Sequence, residues 1–250
     1  MNSPEKLSIV IPVYNEASTV SELLKQVWNV TLESNVQKEV IIVVSPSTDE
    51  SEALVSAFLE QNKSENLKGI FQSKAQGKGQ AVRDGFAQVT GTIILIQDAD
   101  LEYDVNDYNE LIKPILAKQT DLVIGSRHLS AGNWKIRKFT GQPIRAMILN
   151  LGGSIFHFLF NKIYGQKLSD PTTMYKIFRA DYLKKFKLYS NRFDFDYELL
   201  AKLIRTGATP FELPVSYNSR DFEEGKKIRP FRDPLGWVWA IIKFRFSKLD

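Results

Sequence analysis

Residues 93–104, IILIQDADLEYD, join an apolar run to a group of carboxylates. The run from Thr92 to Ile96 predicts a short buried strand. Four acidic side chains then occupy every second position: Asp98, Asp100, Glu102 and Asp104. Because alternate side chains of an extended segment point the same way, the first three are expected to converge where the strand ends.

Strand and helix patterns alternate on both sides of this stretch. Strands are predicted at residues 7–13, 39–44, 67–71, 92–96, 121–126 and 209–217. Helices are predicted at residues 19–30, 47–61, 79–89, 107–118, 141–164 (one or two helices) and 193–207. Capping side chains are expected at Thr19, Ser47 and Asp107, with Gly207 ending the last helix. The alternation indicates an α/β fold with a mainly parallel sheet flanked by helices.

Composition limits the chemistry that the chain can support. The 250 residues are 43% hydrophobic, enough for one substantial domain with a full core. There is no cysteine and there are only two histidines, so a thiolate or histidine-based metal site is disfavoured. Any metal is expected to be a hard cation with oxygen ligands. Neither a signal peptide nor a membrane-spanning segment is expected.

Basic residues are unevenly distributed along the chain. Residues 122–169 contain seven Lys or Arg and no Asp or Glu, and residues 225–246 contain six Lys or Arg and one Asp. Such asymmetry favours an anionic partner. Nucleic acid, lipid phosphate and nucleotide diphosphate remain open on charge alone, and so does an ordinary solvated basic face.

The carboxylates at the end of the 92–96 strand lie where parallel sheets bind ligands. Clustered carboxylates repel one another unless a cation neutralises them, so Mg²⁺ or Mn²⁺ bridging them to a diphosphate is the favoured interpretation. A solvated acidic turn is the alternative. Nearby, Gly77 and Gly79 lack the spacing of a phosphate-binding P-loop. They are expected to permit a tight turn before a helix.

Eight motifs stand in order along the chain and carry a resemblance. They are SIVIPVYNEAST (8–19), GKGQAVRDGF (77–86), GTIILIQDADLEYD (91–104), DLVIGSR (121–127), GQPIRAMILN (141–150), DPTTMYKIFR (170–179), FDFDYELLAKLIRTG (193–207) and LPVSYNSRDFEEGKKI (213–228). Over residues 7–246 the chain resembles family 2 glycosyltransferases, which have the Rossmann-like GT-A fold. Within them it is most similar to polyprenyl-phosphate sugar synthases typified by dolichyl-phosphate mannose synthase. The resemblance implies a GT-A domain at 1–230 and a C-terminal amphipathic extension at 231–250, packed on the domain or a membrane surface.

The resemblance also implies roles for individual residues. Nucleotide-sugar-binding positions would be Pro12, Tyr14, Glu16, Ser45, Gly79, Asp98, Lys226 and Lys227. Metal ligands would be Asp98, Asp100 and Glu102, with Arg127 and Arg145 near the acceptor phosphate. Catalytic positions would be Asp100, Arg127 and Arg220. Ser45 departs from the family, which usually has an acidic residue there, and this leaves the nucleotide base open.

The implied reaction is inverting transfer of a hexose from a GDP- or UDP-sugar to a dolichyl or undecaprenyl phosphate, with Mg²⁺ or Mn²⁺ and without nucleic acid. Two alternatives remain. One is transfer to a sugar hydroxyl, which needs a carboxylate base, Asp196 or Glu198, although both could instead serve only as charges at a helix N-terminus. The other is an inactive nucleotide-sugar-binding module.

Membrane contact is expected to be peripheral, on the cytoplasmic face, through residues 134–164 and 234–246. Aromatic residues suited to the headgroup boundary are Trp134, Trp237 and Trp239. Basic residues suited to lipid phosphates are Lys135, Arg137, Lys138, Lys243 and Arg245. The alternative is that these aromatic side chains close the hydrophobic core. Within 141–164, one polar stripe is predicted from Asn150, Ser154, His157 and Asn161.

Overall fold

The computed structural model describes residues 4–132, 143–192, 194–220 and 233–249. Its strands are β1 (Lys6–Val13), β2 (Gln37–Val44), β3 (Leu67–Phe71), β4 (Ile93–Ile96), β5 (Leu122–Ser126), β6 (Lys176–Arg179) and β7 (Pro210–Pro214). They form one seven-stranded sheet in the order β3-β2-β1-β4-β6-β5-β7. Only β6 pairs antiparallel with its neighbours, so the predicted α/β fold with a mainly parallel sheet is confirmed.

Helices connect and cover these strands. They are α1 (Val20–Asn29), α2 (Ser51–Gln61), α3 (Lys78–Phe86), α4 (Tyr108–Leu116), α5 (Arg127–Ala131), α6 (Pro143–Tyr164), α7 (Phe195–Arg205) and α8 (Asp233–Phe246). The central strands β1, β2, β4 and β5 are almost wholly buried. Their continuous Val, Ile and Leu runs suit a sheet that is covered on both faces.

Strand β6 was not predicted from the sequence. Its four residues, Lys176–Arg179, have a charged residue at each end, and so lack the continuous apolar run of a strand such as β4. It is nevertheless buried because it lies between β4 and β5 and pairs antiparallel with both.

The predicted capping side chains make tertiary contacts instead of capping helices. Thr19 donates its hydroxyl hydrogen to the Ala99 carbonyl at 2.8 Å. Ser47 accepts the Asn15 N–H at 3.1 Å, and α2 begins only at Ser51. Asp107 accepts the Ser216 N–H at 2.6 Å. Thr19 and Asp107 stand at the N-cap positions of α1 and α4, as predicted, but neither side chain makes a capping hydrogen bond. The Ser47 prediction is wrong, because Glu50 is at the N-cap position of α2.

Gly207 follows α7 with a φ of +102°, a conformation that favours glycine, so the predicted end of this helix is confirmed. Of the predicted 141–164 segment, Pro143–Tyr164 form one helix, α6, with its polar stripe turned inward. Asn150 and His157 are buried, and Asn161 donates to and accepts from the backbone of Leu168.

The opposite face of α6 is apolar and exposed. Its exposed side chains are Met147, Leu151, Ile155 and Phe158, and Phe158 is 71% exposed. The helix buries polar side chains together with Phe156 and Phe160 and exposes an apolar stripe, unlike an ordinary surface helix, whose exposed face is polar. Among the described residues, no helix has both the length and the apolar character needed to cross a bilayer.

Helix α8 packs against α6 and α7. Ala240, Ile241 and Phe244 are buried, and Tyr164 on α6 donates its hydroxyl hydrogen to the Ile241 carbonyl at 2.9 Å. Trp239 is 65% exposed, so it does not close the core. The predicted domain boundary at residue 230 lies outside the described residues and stays a prediction.

Candidate active site

The carboxyl ends of the parallel strands bring several predicted residues to one edge of the sheet. Val13 at the end of β1 is opposite Val44 at the end of β2, and Ile96 of β4 pairs with Val10. The residues that follow these strand ends, among them Tyr14, Ser45 and Asp98, therefore lie along one edge. This is where sheets of this type bind ligands.

The acidic loop, residues 97–104, follows β4. Within it the Glu102 N–H donates to the Asp100 carboxylate at 3.1 Å, and Leu101 takes a positive φ of 59°. Burial, Asp98 and Glu102 together raise the pKa of Asp100 to about 7. Carboxylate oxygens in a negatively charged cluster are the ligands that hard divalent cations prefer. The residues present thus offer ligands of the type that a divalent ion prefers, although Lys78 and Arg220 already pair with two of them.

Two cationic side chains hold this acidic loop. Lys78, at the start of α3, lies 2.5 Å from the Asp98 carboxylate. Burial opposes its charge, but Asp98 and Asp196 outweigh burial and raise the pKa of Lys78. Arg220 contacts Glu16 at 2.9 Å and Asp100 at 3.0 Å.

Arg220 reaches the acidic loop because the segment after β7 pairs with it. Tyr103 and Tyr217 form an antiparallel bridge, and the Asn218 N–H donates to the Glu102 carbonyl at 2.8 Å. The Arg220 N–H then donates to the Glu102 carboxylate at 2.9 Å. The backbone pairing therefore places a guanidinium group beside three carboxylates.

Lys78 was missed in the sequence. Its signal was the GKG turn, which was considered only as a P-loop and as a tight turn before a helix. A lysine between two glycines, just before a helix that starts at the carboxyl edge of the sheet, is placed to meet an anion or an acidic loop. Here it meets Asp98.

The predicted nucleoside-binding residues lie along the same edge. Tyr14 is 43% exposed, and Pro12 is the penultimate residue of β1. Ser45 is buried, and its hydroxyl donates to the Gln72 side chain at 2.7 Å. Gly79 is buried in the first turn of α3. These residues lie along the same edge of the sheet as the acidic loop, and their roles stay predictions.

Arg127 forms a buried ion pair with Asp170. Its Nε donates to one oxygen of Asp170 at 2.6 Å and a terminal nitrogen donates to the other at 2.8 Å. Burial opposes the charge of Asp170, but Arg127 outweighs it and holds the pKa of Asp170 well below its usual range. Arg127 also lies over the ring of Tyr217, whose hydroxyl donates to Glu102 at 2.7 Å. Arg127 is thus linked to the acidic loop through one tyrosine.

A second group of possible metal ligands surrounds Asp170. Among the described residues, ligand atoms of His128, His157 and Asp170 lie within 4.8 Å of one another. Both oxygens of Asp170 already accept hydrogen bonds from Arg127. A metal ion bound there would have to compete with that guanidinium for the carboxylate.

The two candidate bases on α7 have different surroundings. One oxygen of Asp196 is buried and has no hydrogen-bond partner in the described part of the chain. Burial raises the pKa of Asp196, with Lys176 and Lys78 opposing that rise. Glu198 is fully buried and pairs with Lys202 at 2.8 Å. Only Asp196 therefore remains electrostatically coupled to the acidic loop.

Some predicted residues fall where the structure says nothing of them. Lys226 and Lys227 lie outside the described residues, as do Trp134, Lys135, Arg137 and Lys138. Arg145 and Trp237 lie within α6 and α8, but their side chains are not described. Their roles stay predictions.

The protein has a mainly parallel α/β sheet, with the acidic loop and the cationic side chains of Lys78 and Arg220 at its carboxyl edge. These features are typical of proteins that bind anionic ligands together with a divalent cation. Residues 8–187 match the family described as Glycosyl transferase family 2, and the chain belongs to this family. The predicted family membership and the assignment as a glycosyltransferase are confirmed.

Two similar proteins have names that describe transferases of polyprenyl phosphates. A dolichyl-phosphate beta-glucosyltransferase from Dictyostelium discoideum is 24% identical, with 97% of this chain and 75% of that protein covered. An undecaprenyl-phosphate 4-deoxy-4-formamido-L-arabinose transferase from Sodalis glossinidius is 26% identical, with 89% of this chain covered. The match spans only 63% of the Sodalis protein.

A solved structure supports the fold assignment. Glucosyl-3-phosphoglycerate synthase from Mycobacterium tuberculosis, in complex with Mn²⁺, uridine diphosphate and phosphoglyceric acid, superposes with a TM-score of 0.69. The alignment covers 98% of this chain and 80% of that chain at 14% identity. At this identity the similarity shows the shared fold.

Proposed function

We propose that the protein transfers a hexose, with inversion, from a GDP- or UDP-sugar to a polyprenyl phosphate, with Mg²⁺ or Mn²⁺ as cofactor. The observation that carries the donor half is the acidic loop, with Lys78 and Arg220 bound to its carboxylates at 2.5 and 3.0 Å. The acceptor half rests on the names of the relatives and on the apolar exposed face of α6.

On the donor side, Asp98, Asp100 and Glu102 would hold the divalent ion. When bound, that ion supplies positive charge that stabilises the leaving nucleoside diphosphate. Lys78 and Arg220 are cationic side chains that contact these carboxylates within the described part of the chain. Both carry charge that offsets the charge on the diphosphate as the glycosidic bond breaks.

On the acceptor side, an oxygen of the phosphate attacks the anomeric carbon as the nucleoside diphosphate departs. A phosphate monoester is already ionised at pH 7, so this reaction requires no strong general base. Arg127 and Arg145 are the proposed acceptor-phosphate residues. The buried Asp170 holds Arg127 in one orientation, so any contact with the acceptor would come from a preorganised guanidinium.

We also propose that the protein meets the cytoplasmic face of a membrane peripherally through α6 and α8. The apolar stripe of α6 and the exposed Trp239 and Phe246 of α8 support this proposal. Lys243 and Arg245 are exposed on α8 as well. Apolar and basic side chains on packed neighbouring helices suit an anionic lipid surface.

A second candidate function is transfer to a sugar hydroxyl, with Asp196 as the base. The buried, unpartnered oxygen of Asp196 favours it, because a hydroxyl acceptor needs a nearby carboxylate. Glu198 is not a candidate in this scheme, since its carboxylate pairs with Lys202. A nucleotide-sugar-binding module without activity is the remaining alternative.

The test is a transfer assay with radiolabelled GDP- and UDP-sugars, Mg²⁺ or Mn²⁺, and two classes of acceptor. We expect labelled polyprenyl-phosphate sugar in vesicles and its loss on adding EDTA. If labelled product formed only with water-soluble sugar acceptors, and Asp196→Asn abolished its formation, the second candidate function would replace the first. Donor binding without transfer to any acceptor would favour the inactive module.

A further inference from the structure

Helix α7 contains a buried ion pair with no part in the proposed chemistry. Glu198 and Lys202 lie 2.8 Å apart, and both side chains have zero exposed surface. A buried ion pair adds little net stability over an apolar pair of similar volume. Its role therefore has to be sought in the groups that it holds.

The pair holds the loop at residues 187–192, just before α7. The Glu198 carboxylate accepts the Ser190 N–H at 2.7 Å and the Tyr189 N–H at 3.0 Å. Lys202 donates to the Lys187 carbonyl. Each charge thus binds loop backbone as well as its partner, which fixes the path of the loop.

This loop in turn supports the GKG turn at the start of α3. The Gly79 N–H donates to the Asn191 carbonyl at 2.9 Å, and Arg83 of α3 donates to the Ser190 carbonyl. A Cβ on Gly79 would lie 2.8 Å from the Phe195 Cβ. The turn and the loop are therefore packed with no room for a side chain at Gly79.

Lys78 lies between the two glycines of this turn and contacts Asp98 at 2.5 Å. We infer that Glu198, paired with Lys202, is a positioning residue that fixes Lys78 at the acidic loop by way of the 187–192 loop. The inference rests on the proposed function in one respect, that Lys78 contacts the donor diphosphate. The contacts that link Glu198 to Lys78 do not depend on that function.

Glu39 supplies a matched control for the experiment. It is also fully buried and accepts hydrogen bonds from backbone, hydroxyl and lysine groups, but it lies on β2 at the end of the sheet opposite the site. Its substitution is expected to cost stability without moving Lys78. Glu39→Gln therefore separates general destabilisation from loss of positioning.

The first measurement needs no ligand. Lys78 is labelled with an amine-acetylating reagent and quantified by mass spectrometry in wild type, Glu198→Gln and Glu39→Gln. We expect labelling of Lys78 to rise several-fold in Glu198→Gln alone, because the released turn loosens its contact with Asp98. Equal labelling in the two variants would overturn the inference.

The second measurement is calorimetry with UDP or GDP and Mn²⁺. We expect Glu198→Gln to weaken diphosphate affinity about tenfold, as for loss of a charge-assisted contact. Glu198→Gln combined with Lys78→Met should bind no more weakly than Lys78→Met alone. Additive losses would show that Glu198 does not act through Lys78.

The two measurements separate the inference from the proposed function. A wild-type protein that binds neither nucleotide contradicts the proposed function, while the labelling still decides the inference. If Glu198→Gln fails to fold, the pair variant Glu198→Gln/Lys202→Met removes both buried charges and takes its place in both measurements.

Discussion

Asp100 has two carboxylate neighbours in the acidic loop, Asp98 and Glu102, and contacts the guanidinium of Arg220. We predict that Asp100→Asn abolishes metal-dependent donor binding, because one fewer negative ligand weakens the hold on the cation and its diphosphate. Calorimetry with the nucleotide in the presence of Mg²⁺ or Mn²⁺ measures this loss. Undiminished affinity would remove Asp100 from the metal site.

Arg220 neutralises the same carboxylates through its contacts with Glu16 and Asp100. We predict that Arg220→Ala lowers turnover by about two orders of magnitude, as for loss of a group that stabilises the leaving charge. Donor affinity should change less. Steady-state kinetics gives the comparison, and unchanged turnover with a raised KM would contradict the prediction.

Arg220→Ala should have a second effect in the absence of nucleotide. Because the guanidinium competes with a cation for Asp100, its removal should strengthen Mn²⁺ binding several-fold. Titrating Mn²⁺ into the wild type and the variant without nucleotide measures this effect. Weaker binding of Mn²⁺ in the variant would show that Arg220 supports the metal ligands instead of competing for them.

Glu39 contributes to stability far from the site. Burial opposes its charge, but hydrogen bonds from Ser8, Lys68 and Thr90 outweigh burial and lower the pKa of Glu39 to about 2. A lowered pKa in the folded state stabilises the protein at pH values above the unfolded pKa. This contribution is lost as the pH falls through the folded value.

We therefore predict that Glu39→Gln lowers the free energy of unfolding at pH 7 by on the order of 2–3 kcal/mol. The difference from wild type should shrink between pH 4.5 and about 2. Urea denaturation at several pH values measures it. A difference that stays constant over this range would mean that the ionised carboxylate does not carry the effect.

At the scale of elements, apolar periodicity was enough to predict the parallel strands and their helices, because a run such as Ile93–Ile96 has to be buried. It could not predict β6, whose burial is imposed by the strands beside it. The acidic loop was predicted from its spacing alone. Lys78 and Asp170 were not, since their partners are brought to them only by the fold.

The orientation of helix α6 also could not be predicted from the sequence. Its polar stripe was visible in the sequence, but which stripe faces the protein depends on neighbours such as Thr172, to which His157 lies within hydrogen-bond distance. With the polar stripe inside, the exposed apolar face is left for another partner.

We predict that Phe158→Ser leaves folding intact but lowers transfer to long-chain polyprenyl phosphate in vesicles, because a side chain with 71% exposure adds little to the core. Transfer to a short, water-soluble polyprenyl phosphate should be unchanged. Phe160→Ser, on the buried face of α6, is the control and should destabilise the protein. Equal loss with both acceptors would show that Phe158 has no role specific to the lipid.

At the scale of the whole molecule, α6 and α8 pack together, and we propose that their exposed side chains meet the same lipid surface. Apolar side chains supply buried area at the headgroup boundary, and each lysine or arginine near anionic lipid contributes about 1 kcal/mol. Binding should therefore depend on both the charge of the lipid and the ionic strength.

We predict that the protein floats with liposomes containing anionic lipid and that binding weakens as salt rises. Flotation on neutral and anionic vesicles at low and high salt is the measurement, with a Lys243→Ala/Arg245→Ala variant as the test of charge. That variant should bind anionic vesicles as weakly as wild type does at high salt. Binding that survives high salt and carbonate would indicate insertion instead of peripheral contact.

No binding to any vesicle, together with transfer to a water-soluble sugar, would contradict the polyprenyl-phosphate proposal. It would favour Asp196 as the base for a hydroxyl acceptor.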